Sequence, residues 1–394
     1  MPRNCWTRRY LVGVDGRFPR RAAFLLLAAK ALCLCLLAGV CVLPAGQSRA
    51  EYPLGDMLLV LPETEGSQSA ILYGIMQRFV RQKTAFSLAL RHLPGRGGSY
   101  AWNFLQDAPD NGYRLAALTL PSVMLLAADK NRVFSPESVA PVAVFAYAAN
   151  ALWVAEDSDF NTVEELVDYS RKPGNTLRIA GTGSYTDHHM ADMVFKRAAG
   201  IRTTYMPFTG TAESVAAVRQ KRAVACWGYA LAGSSMPGLR PLAVAHPERC
   251  PVLPNTPTFR EHNMDVVGGQ YFGLAAPATV RKKIREEVSA FFLDLFADKS
   301  LRDEAVSAGF MPADTAFKDM PAFMERQYVT LEGFLADYAM FPKERLPVRN
   351  SFNAREDVDA PDRESFEDFQ DNNAVNLEVD NFPAGDPGNS VLQK

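Results

Sequence analysis

Residues 177–211 read LRIAGTGSYTDHHMADMVFKRAAGIRTTYMPFTGT, and the fold class follows from how this stretch parses. Leu177 to Ala180 is apolar apart from Arg178 and reads as a buried strand. Gly181-Thr182-Gly183-Ser184 follows as a small-residue loop. Thr186 or Asp187 can cap the next helix, because either side chain accepts from a free first-turn N–H. Met190, Met193, Val194 and Ala198 mark that helix by their i, i+3, i+4, i+8 spacing, and Gly200 stands where it stops. Thr203 to Met206 is a second strand, closed by the loop Pro207-Phe208-Thr209-Gly210-Thr211. The unit is strand–loop–helix–strand. Its first loop sets free backbone N–H groups at the positive end of a helix, an arrangement suited to a carboxylate. In open α/β sheets ligands sit at the carboxyl ends of strands, where these loops lie. An ordinary βαβ crossover with a tight loop accounts for the same pattern.

Two catalytic motifs fail at this loop. A nucleophile elbow needs G-x-S-x-G, and Thr182 occupies the first glycine position before Ser184. A dinucleotide fingerprint needs G-x-G-x-x-G, and Thr186 stands at its third glycine. His188 and Asp192 have the spacing to share a metal on one helix face, but no third ligand is near. No catalytic residue, metal site or cofactor is expected.

The 394 residues are enough for two domains, and the 48% hydrophobic fraction supplies a substantial core. A formal net charge of -2 argues against a general nucleic-acid binder. Residues 1–50 read as a signal peptide. Arg8, Arg9, Arg20 and Arg21 make its basic part, Ala22 to Leu43 is apolar apart from Lys30, and Ser48-Arg49-Ala50 is a cleavage site. An uncleaved membrane anchor is the rival reading, since the apolar stretch is nearly long enough to span. Thr7 to Leu11 faintly resembles a twin-arginine export signal. Val40 is too bulky for a lipobox before Cys41. Four of the six cysteines fall in the leader. The remaining two, Cys226 and Cys250, either pair in an oxidising compartment or pack as small hydrophobes.

The rest of the chain repeats the central pattern. Met57 to Leu61 is a strand, Pro62 to Ser69 its loop, and Ile71, Ile75, Phe79 and Val80 mark the following helix. Ser87 to Leu90 is a strand that leads into the turn Pro94-Gly95-Arg96-Gly97-Gly98. Asp110-Asn111-Gly112 turns into the strand Tyr113 to Leu118. Val142 to Val154, apolar apart from Asn150, is a crossing between domains. Asn161 with Glu164 reads as a capping box for a helix ending near Lys172-Pro173-Gly174. Ala223 to Trp227 and Leu239 to Ala245 are further strands, and Gln270 to Ala275 is the return crossing. Ile284, Val288, Phe291, Phe292 and Leu295 mark one amphipathic helix, and Met324, Tyr328, Leu331 and Leu335 another. From about Arg349 the chain is rich in Asp, Glu and Asn without sustained apolar period, so 349–394 is expected to be a disordered acidic tail. Alternating strands and helices imply an α/β fold with mostly parallel sheets. The two crossings imply two lobes around a cleft: 51–150 as the first part of lobe 1, 151–270 as lobe 2, and 271–348 as the return to lobe 1.

Several landmarks then resemble a known family. In order they are Pro94 to Gly98, Pro109-Asp110-Asn111-Gly112-Tyr113, Gly183 with His189 and Phe195, Pro207 to Gly210, Pro254-Asn255-Thr256-Pro257-Thr258, and Tyr271 to Pro277. In order and spacing the chain resembles the extracytoplasmic solute receptors of tripartite tricarboxylate transporters, the Bug family, from about Leu58 to Tyr328. The resemblance implies a two-lobed periplasmic-binding fold of type II-like, flytrap character, a small organic anion, commonly a di- or tricarboxylate, held between the lobes, and a membrane permease of one large and one small subunit. The chain is expected to be a periplasmic monomer cleaved near Ala50, with no nucleic-acid partner. Carried over by position, the ligand-binding candidates are Ser67, Gln68 and Ser69 in the first loop, Gly183, Ser184, Tyr185, Thr186 and Asp187 in the second, and Thr209 and Gly210 in the third. Tyr271 and Phe272 wall the pocket near the hinge.

The chain departs from the family at the first loop, where Thr64-Glu65-Gly66 replaces Pro-Gly-Gly and Ser69 stands where an Asp is usual. A dicarboxylate facing Glu63 or Glu65 would be repelled by roughly 4 kcal/mol at about 4 Å and an effective dielectric near 20. Loop glutamates are usually solvated, so both are expected to face outward. If they face inward, an amino-bearing ligand suits the site better. The alternative function is a sensor or interaction module with a non-carboxylate ligand of that kind.

Overall fold

The computed structural model describes residues 52–338, apart from 54, 96–97, 128–131, 185 and 231–235. The expected leader and acidic tail lie outside the described residues. β1 (Met57–Leu61) leads through α1 (Gln68–Lys83), β2 (Leu88–His92), α2 (Ser99–Gln106), β3 (Arg114–Leu120) and α3 (Ser122–Ala127) to the long β4 (Val139–Ala155). Then come α4 (Val163–Arg171), β5 (Leu177–Thr182), α5 (Asp187–Ala199), β6 (Thr203–Phe208), α6 (Thr211–Arg219), β7 (Ala225–Tyr229) and β8 (Leu239–Val244). β9 (Gly269–Pro277), α7 (Lys282–Ala297), α8 (Lys299–Ser307), β10 (Met311–Thr315) and α9 (Met320–Tyr338) follow.

The strands run in the order β2-β1-β3-β9-β4-β7-β5-β6, with β8 and β10 also paired to β4. Parallel pairing is confined to two triads, β2-β1-β3 and β7-β5-β6. Every pair between them is antiparallel. β4 joins the two regions by changing partner along its length. Val139 to Ala149 pair with β9, and Asn150 to Val154 pair with β7. At the change, the Asn150 N–H donates to the Gly268 carbonyl at 2.9 Å, and its carbonyl accepts from the Ala245 N–H at 2.7 Å. The Gly268 N–H donates in turn to the Ala245 carbonyl at 2.9 Å. The two segments that cross between the halves are therefore hydrogen-bonded to each other where they cross.

Helices cover both faces of each half, so its strands are buried on both sides and read as nearly unbroken apolar runs. Leu59, Leu61, Phe145 and Phe272 pack with α1, α7 and α8 on one face of the first half. Leu118, Leu120 and Ala275 pack with Trp102 of α2 and Met324 and Tyr328 of α9 on the other. In the second half the pleat of β4 sorts its residues. Leu152 and Val154 join α4 and α5, while Ala151 and Trp153 join α6, Cys226 and Cys250. Both cysteines are buried and free, so the packed-thiol reading holds, and burial pushes the Cys250 thiol up to about 11.

Three local readings need correction. The cap of α4 is Thr162, one residue later than expected: Thr162 Oγ1 accepts from the Glu165 N–H and Glu165 reaches back, so the box is Thr162 with Glu165. Of the apolar stripe read for α5 only Met193 is buried. The buried face otherwise carries His188, Ala191, Asp192, Phe195 and Ala199, while Ala198 is exposed. Asp192 tolerates burial because Thr203 donates to it at 2.7 Å and the Trp227 indole N–H at 3.5 Å. The sequence pattern also does not announce α6, whose cap is Gly210 with no side-chain bond.

A side chain at Gly273 has no room, because an ideal Cβ there falls 2.0 Å from the Ala143 carbonyl oxygen, where β9 crosses an irregular stretch of β4. Gly273→Ala is expected to lower the urea midpoint by an amount equivalent to about 3 kcal/mol or more, and an unchanged midpoint would refute this packing. A thiol reagent should label neither Cys226 nor Cys250 until the protein is unfolded.

Candidate functional site

Three loops, each running from a strand end into a helix, meet at one cavity of about 620 Å³. In the first loop β1 passes through Pro62, Glu63 and Thr64 to Ser67, which caps α1 by accepting from the Ala70 N–H at 3.2 Å. Ser67, Gln68 and Ser69 all line the cavity and are buried. In the second, β5 ends at Thr182 and the chain turns at Gly183, whose φ of +55° suits glycine. The Gly183 N–H donates to the Phe208 carbonyl at 2.7 Å, tying the second loop to the third. Thr186 caps α5 and its hydroxyl also donates to the Thr182 carbonyl at 2.5 Å. The Tyr205 hydroxyl braces the loop from below by donating to the carbonyls of Thr182 and Gly183, each at 3.1 Å. In the third, Thr209 and Gly210 open α6, and Glu213 accepts from the Thr209 N–H at 3.0 Å.

Three helix N-termini therefore line the same space, two from the second half of the sheet and one from the first. Each brings unpaired N–H groups and about half a positive charge. Opposing them are acids. Among the described residues lining the cavity none is Lys, Arg or His, whereas Glu63, Asp187 and Glu213 all line it.

Asp187 is only 3% exposed. Its Oδ1 accepts from the Tyr229 hydroxyl at 3.1 Å, and the Asn150 amide donates to its carbonyl at 3.4 Å. Its Oδ2 has no hydrogen-bond partner among the described residues, the nearest ring nitrogen being His188 Nε2 at 4.0 Å. Burial pushes the Asp187 carboxyl up, with His188 and Tyr229 opposing, and pushes the His188 imidazole down, with Asp187 opposing. His188 is thus neutral at pH 7, and the 4.0 Å approach is not an ion pair. Its Nδ1 is engaged with Thr182 Oγ1 at 2.9 Å and its ring lies 4.7 Å from that of Tyr229.

The expectation that Glu63 and Glu65 both face outward is half wrong. Glu65 is exposed, but Glu63 turns into the cavity, where its Oε2 is enclosed without a partner among the described residues. Burial raises its carboxyl to about 7, the Ser69 hydroxyl holds it down and the charge of Asp187 raises it further. The loop geometry explains the inward turn: the Glu63 carbonyl is held by His92 Nδ1 at 2.8 Å, which anchors the residue against the end of β2.

Of the residues singled out in the sequence, Ser67, Gln68, Ser69, Gly183, Thr186, Asp187, Thr209 and Gly210 line the cavity. Ser184 is exposed beside it, and Tyr185 lies outside the described residues. Tyr271 and Phe272 do not line it: Tyr271 packs on Tyr147 and Phe323 at ring distances of 4.7 and 5.1 Å, and Phe272 is in the core against Phe310. Gln270, just before them on the strand, lines the cavity instead and accepts from the Ser122 hydroxyl at 2.8 Å. Tyr229 and Ser122 also line it without having been expected. Gln270 and Asn150 carried a signal as lone polar residues in apolar runs.

A family model described as tripartite tricarboxylate transporter family receptor matches residues 75–326. Among curated proteins, the UPF0065 protein in gbd 5'region of Cupriavidus necator is 23% identical over 263 residues, covering 64% of this chain and 78% of that one. Among solved structures, R. palustris Rpa4515 with adipate superposes with a TM-score of 0.67 at 21% identity, covering 73% of this chain and 99% of that one. The periplasmic binding protein BugD gives 0.66 at 17% identity, with the same coverage. Together they establish the two-lobed periplasmic-binding-protein fold.

The state of Glu63 predicts a pH dependence. Its folded value lies above the ordinary one of 4.5, so between about pH 4.5 and 7 the folded chain binds more protons than the unfolded chain. Stability from this group is therefore lost as pH rises through that window. Glu63→Gln is expected to melt roughly a few degrees higher than the wild type at pH 8, with the difference closing by pH 4.5. Parallel melting curves across the window would expose this dependence as wrong.

Proposed function

The chain belongs to the tripartite tricarboxylate transporter receptor family, and from that premise we propose that it is an extracytoplasmic solute-binding protein. It takes a small organic acid between its lobes and delivers it to a membrane permease of one large and one small subunit. The lobes are residues 51–150 with 271–348, and residues 151–270. A signal peptide over 1–50, cleaved near Ala50, delivers it to the periplasm. Among the described residues no helix is long and apolar enough to cross a membrane.

The observation that carries this reading is the convergence of three helix N-termini, drawn from both halves of the sheet, on one cavity of about 620 Å³. Backbone N–H groups at the starts of the three helices, at Gln68 and Ser69, at Asp187 and at Thr211, are suited to carboxylate oxygens. The related R. palustris protein was solved with adipate, which favours a carboxylate ligand class here. Because contacts come from both lobes, ligand shifts the population toward the conformer in which they approach. No catalytic role is assigned, because the family is one of receptors.

The test is a thermal-shift panel of organic acids against protein purified from the periplasm of an expression host. A true ligand at 100 times its dissociation constant stabilises by about 2.7 kcal/mol, which raises the melting temperature by several degrees. A panel of mono-, di- and tricarboxylates and amino acids that produces no shift at millimolar concentration would overturn the receptor assignment.

A further inference from the structure

We propose that the ligand is a zwitterion, a carboxylate that also carries a protonated amine, with Glu63 and Asp187 receiving the ammonium while the helix N-termini receive the carboxylate. This inference rests on the receptor reading above and names the chemistry of its ligand.

The cavity contains polar atoms that find no partner among the described residues. There Glu63 Oε2 and Asp187 Oδ2 are acceptors with no donor, and Gln68 Nε2 is a donor with no acceptor. All three residues line the same cavity. Asp187 and Gln68 are 3% and 5% exposed, so bulk water does not satisfy them. Buried polar groups in native proteins are nearly always paired, and an orphan at a binding cleft is a place for a ligand atom. Two orphan acceptors ask for a group with several N–H donors, and the orphan amide N–H asks for an oxygen. An α-amino acid supplies both within one small molecule.

Charge points the same way. An ammonium between Glu63 and Asp187 offsets the burial that raises the Glu63 carboxyl and the charge of Asp187 that raises it further. A dicarboxylate presents no donor to either acid, and its second negative charge has no basic side chain to meet among the described residues lining the cavity. Among the described residues its positive counterparts are the three helix ends, each carrying only about half a charge. The other oxygens of the two acids are accounted for: Tyr229 donates to Asp187 Oδ1 at 3.1 Å, and the Ser69 hydroxyl bonds the Glu63 carboxylate. The free pair is thus fixed in direction by its own hydrogen bonds. The donor-rich group has to come from the ligand, because His188 Nε2, at 4.0 Å from Asp187 Oδ2, is beyond hydrogen-bond reach.

Calorimetric titration of the protein, purified from the periplasm of an expression host, with pairs that share one skeleton isolates the amine. Suitable pairs are L-aspartate with succinate, L-glutamate with glutarate, L-2-aminoadipate with adipate, and L-phenylalanine with 3-phenylpropionate. The expected result is at least one pair in which the amino-bearing member binds about tenfold or more tightly than its partner, and none in which the order reverses. In Glu63→Gln and in Asp187→Asn that preference should fall about tenfold while any binding of the unaminated partner is kept or improved. An unaminated acid that binds as tightly as, or more tightly than, its amino counterpart overturns the inference and leaves the receptor reading intact. If no member of any pair binds at 5 mM, both fall. The wild-type comparison stands even if a variant fails to fold.

Discussion

The change of partner along β4 is the constraint on which the rest of the molecule depends. One continuous strand belongs to two sets of neighbours, so neither half can be assembled without fixing part of the other. The exchange happens at Asn150, a residue whose backbone is bonded to Gly268 and Ala245 and whose side chain reaches the Asp187 carbonyl. The segment that joins the two halves is therefore in direct contact with an acid that lines the cavity. Any rotation of one half against the other has to be absorbed near this point. The hydrogen-bonded meeting of Asn150, Ala245 and Gly268 limits which rotations are available.

The cavity follows from that framework. Parallel triads place the ends of their strands, and hence the starts of their helices, on one edge of the sheet, and the middle strands bring the two edges face to face. Helix N-termini bring positive polarity to this space, and Glu63 and Asp187 bring two buried acids to it. Placing the acids costs stability, since burial drives both carboxyls toward their neutral forms.

Strands β1 to β9 were legible in the sequence because both faces of each half are covered, which leaves long apolar runs with sharp polar interruptions, whereas α2, α3, α6, α8 and β10 were not read from it. The three loops were legible for the same reason: glycine, serine and threonine cluster only where strands end. Several features were not. Tyr271 and Phe272, carried over as pocket walls, pack instead on Tyr147, Phe323 and Phe310, ring partners distant in sequence that no local pattern names. The direction of Glu63 depends on His92, a residue distant in sequence that holds the Glu63 carbonyl. Polar residues on a buried helix face, such as His188 and Asp192, hide the true inner stripe of α5.

Gly210 sets how closely two of the three loops can approach. A Cβ there would fall 2.9 Å from the Thr64 hydroxyl, so the bare α-carbon is what lets the third loop lie against the first. Any side chain at this position would have to displace Thr64, and the two loops that line the cavity from opposite halves of the sheet would stand further apart.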